Sequence, residues 1–202
     1  MTKPEIERIL RPYILNGSSI PGGIYGQLSQ YLELLLKWNS RTNLTAIRDP
    51  EEIVRRHFGE SLFAAQHLGD CQTLLDFGSG AGFPGLPIQL MRPDIRVTLA
   101  ESQNKKATFL REVIRTLGLK TEVWAARVET MPSSQRFDIV TLRAVDNMEA
   151  AIAAAAPRAE RRMMLLTTAN NAPDPPTSFA AAESIQMPGT DSQQVLVFTR
   201  QS

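Results

Sequence analysis

Residues 75–87 read LDFGSGAGFPGLP, setting Gly78, Gly80, Gly82 and Gly85 within eight positions, directly after an apolar run that carries Asp76. Glycine serves where a backbone must turn with positive φ, or where a ligand must approach with no Cβ in the way. Dinucleotides, phosphates and S-adenosylmethionine all make that demand. The rest of the chain has to choose among them.

Outward from this loop, the chain alternates strand and helix. TLLDF (73–77) precedes the loop, and RVTLAE (96–101), TEVWAA (121–126), FDIVTL (137–142), MMLLTT (163–168), AESIQM (182–187) and QVLVFT (194–199) read as further strands. Helical spacing covers 84–91, 104–117 and the alanine-rich run 146–156, which Pro157 stops. Strands alternating with helices imply a parallel sheet covered on both faces, and such sheets bind ligands at the carboxyl ends of their strands, beside the switch in strand order. The glycine loop follows the first strand and so lies at that edge.

Before residue 69 the pattern is helical. Ile6, Ile9, Leu10 and Ile14 form one apolar stripe, and Leu28, Tyr31, Leu32, Leu35 and Trp38 form a second. A third helix opens at DPEE, with Asp49 as cap, Pro50 in the first turn and two glutamates at its positive end. The 202 residues carry a net charge of +1, so no global polycation announces nucleic acid. Between Arg92 and Arg127, however, eight Lys or Arg stand against four acids, a local excess that suits an anionic partner or a solvated face. Cys71 is the single cysteine, which excludes an intrachain disulfide and fits a reducing compartment. With no apolar run long enough for a bilayer and no signal-peptide core, the expected location is cytoplasmic, without a membrane partner.

Two fingerprints overlap in the loop. Gly80-x-Gly82-x-x-Gly85, with Glu101 placed 21 residues after Gly80, matches the dinucleotide pattern of an NAD-dependent oxidoreductase. Asp76-x-Gly78-x-Gly80-x-Gly82 matches the first motif of Rossmann-like methyltransferases. Chemistry separates them. A pyrophosphate wants bare amides at a helix N-terminus, and a carboxylate at the strand end opposes its charge. A cofactor bearing an ammonium and a sulfonium welcomes that carboxylate, and Phe83-Pro84 would pack against an apolar cofactor edge. Glu101 suits two ribose hydroxyls in either case.

Several stretches together resemble one family. LLDFGSGAGFPGLPIQLMRP and TLAESQNKKATFLREV closely resemble the RsmG (GidB) family, bacterial methyltransferases of small-subunit ribosomal RNA. LLLKWNSRTNLTAIRDPEEIVRRHFGESL upstream, and ARVE and TLRAV downstream, resemble it as well, densely over residues 28–145. The resemblance implies methyl transfer from S-adenosyl-L-methionine to N7 of a guanine in the decoding region of 16S ribosomal RNA. It implies an α/β, Rossmann-like class I methyltransferase sheet of about seven strands, the last antiparallel. That domain would span residues 69–202, behind an N-terminal helical cap segment, 1–68. The implied partner is small-subunit ribosomal RNA or a ribosomal subunit particle, met by a monomer without a metal.

The resemblance implies cofactor contacts at Gly78, Phe83, Val128, Glu129 and Arg143, and spacing adds Asp76, Gly80, Gly82 and Glu101. Around the reaction site it sets Asn43 and Arg143 as positioning residues, with His57, Lys105, Lys106 and Arg127 toward RNA. Each has a plainer alternative. Asn43 before Leu44-Thr45 equally suits a turn cap. His57, near an apolar stripe, reads as a packed histidine. Lys105 opens a helix where the dipole disfavours a cation, a local conflict that points to function. Arg127 and Arg143 each follow a strand, at the ligand edge. Arg111 and Arg115 read as solvated surface. Guanine N7 carries a lone pair and no proton, so transfer requires alignment rather than a base. One departure stands out: after MMLLTT the chain has Thr168-Ala169 where the family commonly has lysine-glycine, which shifts RNA contact toward Lys105, Lys106 and Arg127. A cofactor-binding protein of the same fold without catalysis is the alternative that this departure supports.

Overall fold

The computed structural model describes residues 1–180 and 183–201. Seven strands, β1 (Thr73–Phe77), β2 (Arg96–Ala100), β3 (Glu122–Trp124), β4 (Phe137–Arg143), β5 (Ala159–Thr168), β6 (Glu183–Gln186) and β7 (Gln193–Thr199), form one sheet in the order 3-2-1-4-5-7-6. The first five are parallel, β7 runs antiparallel to β5, and β6 antiparallel to β7. Each expected strand is present. Ala182, the first residue of the expected AESIQM strand, lies outside the described residues.

β1, β4 and the centre of β5 (163–166) are near-continuous buried runs because both of their faces are covered. β5 begins four residues before the expected MMLLTT. Its polar start, AERR, pairs with β4 at Ala159 and Arg162 and with β7 from Arg162 onward, while Arg161 and Arg162 donate to the carbonyls of Asp70 at 3.0 Å and Leu68 at 3.2 Å. Backbone pairing and side-chain anchoring override its unfavourable pattern.

The helices are α1 (Lys3–Leu10), α2 (Ile24–Asn39), α3 (Pro50–Glu52), α4 (Glu60–Ala65), α5 (Gly85–Met91), α6 (Asn104–Leu117) and α7 (Met148–Ala155). Asp49 caps α3 by accepting from Glu52 N at 2.7 Å, and a π-helical stretch, Ile53–Gly59, joins α3 to α4. α7 starts two residues later than expected, where the Asn147 side chain accepts from Ala150 N at 3.0 Å. The apolar stripes of α1 and α2 share one core with α4, α5, α6 and one sheet face; α7 covers the opposite face. No helix among the described residues is long and apolar enough to cross a membrane.

The β3-to-β4 connection has no long helix, only the short 3-10 turn Val128–Thr130. Buried Arg158 holds it, donating to the carbonyls of Met131 at 2.7 Å, Gln135 at 3.2 Å and Val128 at 3.4 Å.

Candidate active site

The glycine loop leaves β1 between β1 and β4, where strand order reverses. Beneath it Asp76 is fully buried, accepting from Gly85 N at 3.1 Å and from the Thr141 hydroxyl at 2.9 Å. Burial pushes its pKa up to about 6, against the pull of these donors. Asp76, expected among the cofactor contacts, therefore stands one layer below them and shapes the loop from underneath.

The glycines divide in the same way. Gly80 has φ +57°, and an added Cβ would have only the Gly78 carbonyl within 4 Å, at 3.8 Å, so its face is open to a ligand. At Gly82, φ +92°, a Cβ would collide with the Tyr31 hydroxyl and the Leu86 side chain. Gly82 is demanded by packing against α2 and α5. The Glu101 carboxylate, beyond β2, accepts from Gly80 N at 3.0 Å and Gln103 N at 2.7 Å. It ties the loop to the start of α6 and keeps further lone pairs for a ligand.

Phe83 lies between two rings, stacked on His57 (centroids 4.7 Å, 24°) and on Tyr31 (5.4 Å, 12°). His57 belongs to the π-helical stretch. Its Nε2 lies 2.7 Å from Thr45 Oγ1, and its buried Nδ1 has no partner among the described residues. Burial, then the charges of Arg143 and Arg56, pull its pKa down to about 3, so the ring is neutral at any physiological pH.

Arg143 ends β4. One terminal nitrogen, Nη2, donates to Glu60 at 2.8 Å and to the Arg56 carbonyl at 3.0 Å; the other, Nη1, is buried and unpartnered among the described residues. Sequence reasoning missed Glu60, which is 3% exposed and also receives Arg56 Nε at 3.2 Å. Its signal was an acid on the apolar side of its helix, within RHFGES. Asn43 is exposed and accepts from Arg48 at 3.0 Å, away from these groups. The expected positioning role for Asn43 thus has no contact to support it; its loop contributes Leu44 and Thr45 to the cavity wall instead.

Three cavities join along the carboxyl edge. The first, ≈300 Å³, is lined by Phe77, Gly78, Ser102, Arg127, Val128 and Glu129. A second, ≈460 Å³, holds Thr45, His57, Gly80, Phe83, Glu101, Lys106 and Arg143. They meet at Gly78, Val145 and Asp146. The third, ≈700 Å³, opens past His57 and Arg143 between the ends of β4 and β5, and includes Thr168. Lys106 therefore lines the groove, whereas Lys105 is exposed outside it. The basic run from Arg92 to Arg127 is not one face. Arg92 is bound to Asp94 at 2.8 and 2.9 Å, and Arg96 and Lys120 line a separate hollow at the amino edge. Ala144, at φ 48°, is the single non-glycine residue with positive φ among those described, and it borders the groove.

The residues fit S-adenosylmethionine. Gly78 and Gly80 allow close backbone approach, Glu101 offers acceptors for ribose hydroxyls, and the unpartnered Arg143 Nη1 is a buried donor suited to a carboxylate. Among the described residues no cluster of three or more His, Cys, Asp or Glu is arranged to hold a metal ion.

This sheet order, with its reversed β7 and a glycine loop at the switch point, defines a Rossmann-like class I methyltransferase fold. Solved structures share it: a mutant of MtNAS in complex with S-adenosylmethionine (TM-score 0.59, 16% identity, 98% of each chain) and TrmN from Thermus thermophilus (TM-score 0.52, 19% identity, 73% of this chain and 53% of that one). The chain belongs to the GidB family, whose model, described as rRNA small subunit methyltransferase G, matches residues 24–195. Relatives named Ribosomal RNA small subunit methyltransferase G include one from Roseiflexus, 50% identical over 125 residues (59% of this chain, 53% of the relative). Another, from Xanthomonas campestris, is 43% identical over 140 residues (69% and 66%). The alignments thus span about half to two thirds of the length of these relatives.

Proposed function

We propose that the protein transfers a methyl group from S-adenosylmethionine to N7 of a guanine in small-subunit ribosomal RNA. The observation that carries this reading is a groove that joins the pocket at Gly78, Gly80 and Glu101 to a larger cavity, and whose one histidine and most buried acid, at the junction, are not suited to act as a base. His57 is held neutral with its pKa near 3, too weak a base at neutral pH, and Glu60 is locked between two guanidiniums. An N7 nucleophile has no proton to lose, so this residue set suffices for it.

Bound S-adenosylmethionine supplies an electrophilic methyl on a sulfonium. Gly78, Gly80 and Glu101 hold the nucleoside half, with Val128 and Glu129 beside it in the first cavity. Arg143 offers Nη1 to the amino-acid carboxylate, and Glu60 fixes its orientation. The Phe83–His57 stack excludes water from one wall. Lys106 and Arg127 border the groove on the side open to RNA. Segment 1–68 acts as a roof over the methyltransferase sheet of 69–202, and the protein works as a monomer in the cytoplasm.

Calorimetry with S-adenosylhomocysteine and NAD, followed by transfer from labelled S-adenosylmethionine to undermethylated small subunits, tests the reading. Binding of S-adenosylhomocysteine alone, together with incorporation into RNA, is the expected result. Binding without incorporation would favour a cofactor-binding protein, and preferential NAD binding an oxidoreductase.

A further inference from the structure

We propose that Arg56 is the phosphate anchor for the target nucleotide, which sits in the cavity between the ends of β4 and β5; this rests on the RNA-methyl-transfer reading above. Arg56 lies in the π-helical stretch, one helical turn before Glu60. Its Nε donates to the buried Glu60 carboxylate at 3.2 Å, while its side chain stays 42% exposed. Neither terminal nitrogen of Arg56 has a hydrogen-bond partner among the described residues. A guanidinium pinned at Nε with its terminal fork free has already lost much of its rotamer freedom. It presents a planar pair of donors that matches a phosphate.

Charge and space agree with this. Glu60 is a single carboxylate shared by two guanidiniums, Arg56 and Arg143 (2.8 Å), so the trio keeps one positive charge. S-adenosylmethionine carries an ammonium, a sulfonium and one carboxylate, and so adds a further positive charge beside it. An anionic substrate relieves both. The adjoining cavity of ≈700 Å³ is of ligand-binding size, and Thr168, Asn171 and Pro173 form its far wall. Asp146 is the other acid on its rim. The cavity meets the cofactor pocket at His57 and Arg143, so a base inside it would lie directly beside that pocket. A free arginine fork takes guanine through O6 and N7 together. Committing Arg56 to phosphate keeps N7 open for reaction.

The experiment compares wild type, Arg56→Ala, Arg56→Lys, Thr168→Trp and the surface control Arg111→Ala. Steady-state methyl transfer to undermethylated small subunits, calorimetry with S-adenosylhomocysteine, and the salt dependence of RNA binding are measured for each. Arg56→Ala is expected to raise KM for the subunit about tenfold or more, the scale of a lost charged hydrogen bond. Its salt slope should fall by about 0.7, one single-strand phosphate contact. S-adenosylhomocysteine affinity should stay within twofold of wild type. Arg56→Lys keeps a point charge without the fork and should recover only part of the loss. Thr168→Trp, which fills the cavity from the opposite wall, should raise KM in the same way with the cofactor still bound. Arg111→Ala should match wild type. An active wild type with Arg56→Ala and Thr168→Trp unchanged in KM would overturn the nucleotide site and leave the RNA reading standing. A parallel loss of S-adenosylhomocysteine affinity in Arg56→Ala would make Arg56 merely a support for Glu60 and also overturn the proposal. A wild type that binds S-adenosylmethionine but labels no RNA would remove the reading, and the proposal with it.

Discussion

His57 is a buried imidazole whose pKa is pulled far down, and that shift has two measurable consequences. With a pKa near 3 it cannot titrate during catalysis at neutral pH. Single-turnover methyl transfer at saturating cofactor should therefore be nearly flat from about pH 6.5 to 8.5, around and above the unperturbed histidine pKa. A decline beginning near pH 6 would follow protonation of Asp76, whose carboxylate accepts from Gly85 N and Thr141, and should persist in His57→Gln. A tenfold rise with pH that disappears in His57→Gln would mean that a base is used and would count against N7. Stability has its own sign. The folded pKa of His57 lies below the unfolded value of about 6.5, so its contribution is present above that pH and is lost as pH falls toward 3. The cost of His57→Gln seen at pH 7.5 should shrink by up to about 2 kcal/mol at pH 5. Asp76 acts in the opposite direction: its raised pKa gives a contribution complete below about 4 and lost through pH 6, so the comparison must be made against wild type at each pH.

Gly80 gives the sharpest substitution at the same scale. Gly80→Val would place a branched side chain into the open face of the loop, at a φ of +57° that L-residues disfavour. Circular dichroism should show a folded protein, and calorimetry a loss of S-adenosylhomocysteine binding beyond tenfold, about 1.4 kcal/mol. Affinity within about threefold of wild type would remove the loop from the cofactor.

Elements differ in how much of themselves they reveal in sequence. The glycine loop was legible because glycine spacing and an alternating strand-helix rhythm are local signals. Its internal division was not: Gly82 is required by Tyr31, 51 positions away in the chain, and Asp76 is turned downward by Thr141 across β4. The basic run failed as a surface for a similar reason. A charge count along the chain ignores that β2 starts with Arg96 at one sheet edge and leads to Glu101 just beyond the other. The geometry ranks the two lysines of α6, because Lys106 lines the groove and Lys105 does not. Lys106→Ala should weaken RNA binding and transfer more than Lys105→Ala, with cofactor affinity little changed in either; equal effects would mean that RNA lies across the outer face of α6. Arg158 was also invisible beforehand, since nothing local marks an arginine as a loop clamp. Arg158→Ala removes the side-chain donor from the carbonyls of Met131, Gln135 and Val128, the first of them buried, and should cost about 2 kcal/mol in urea unfolding. It should also reduce cofactor affinity, since Val128 and Glu129 ride on the loop it holds.

At the scale of the molecule, strand number, parallel order and the reversed last strand followed from rhythm and resemblance, because each is a property of the whole pattern. The site was legible only where one residue type has few other uses. Glycines and the strand-end acids stood out; Glu60 and Arg56 did not, because their function arises from a meeting between the helix before β1 and the end of β4, 83 residues apart for Glu60 and Arg143. The shared core of the amino-terminal helices and the sheet makes that meeting fixed.

The central claim is methyl transfer to guanine N7, and nucleoside mass spectrometry tests it most directly. Small subunits from cells lacking the modification are incubated with the protein and deuterium-labelled S-adenosylmethionine, and the ribosomal RNA is digested to nucleosides. The account predicts labelled 7-methylguanosine as the new product, approaching one per subunit. Labelled methyl on another guanine atom or another base, or no label in RNA despite a bound cofactor, would contradict it.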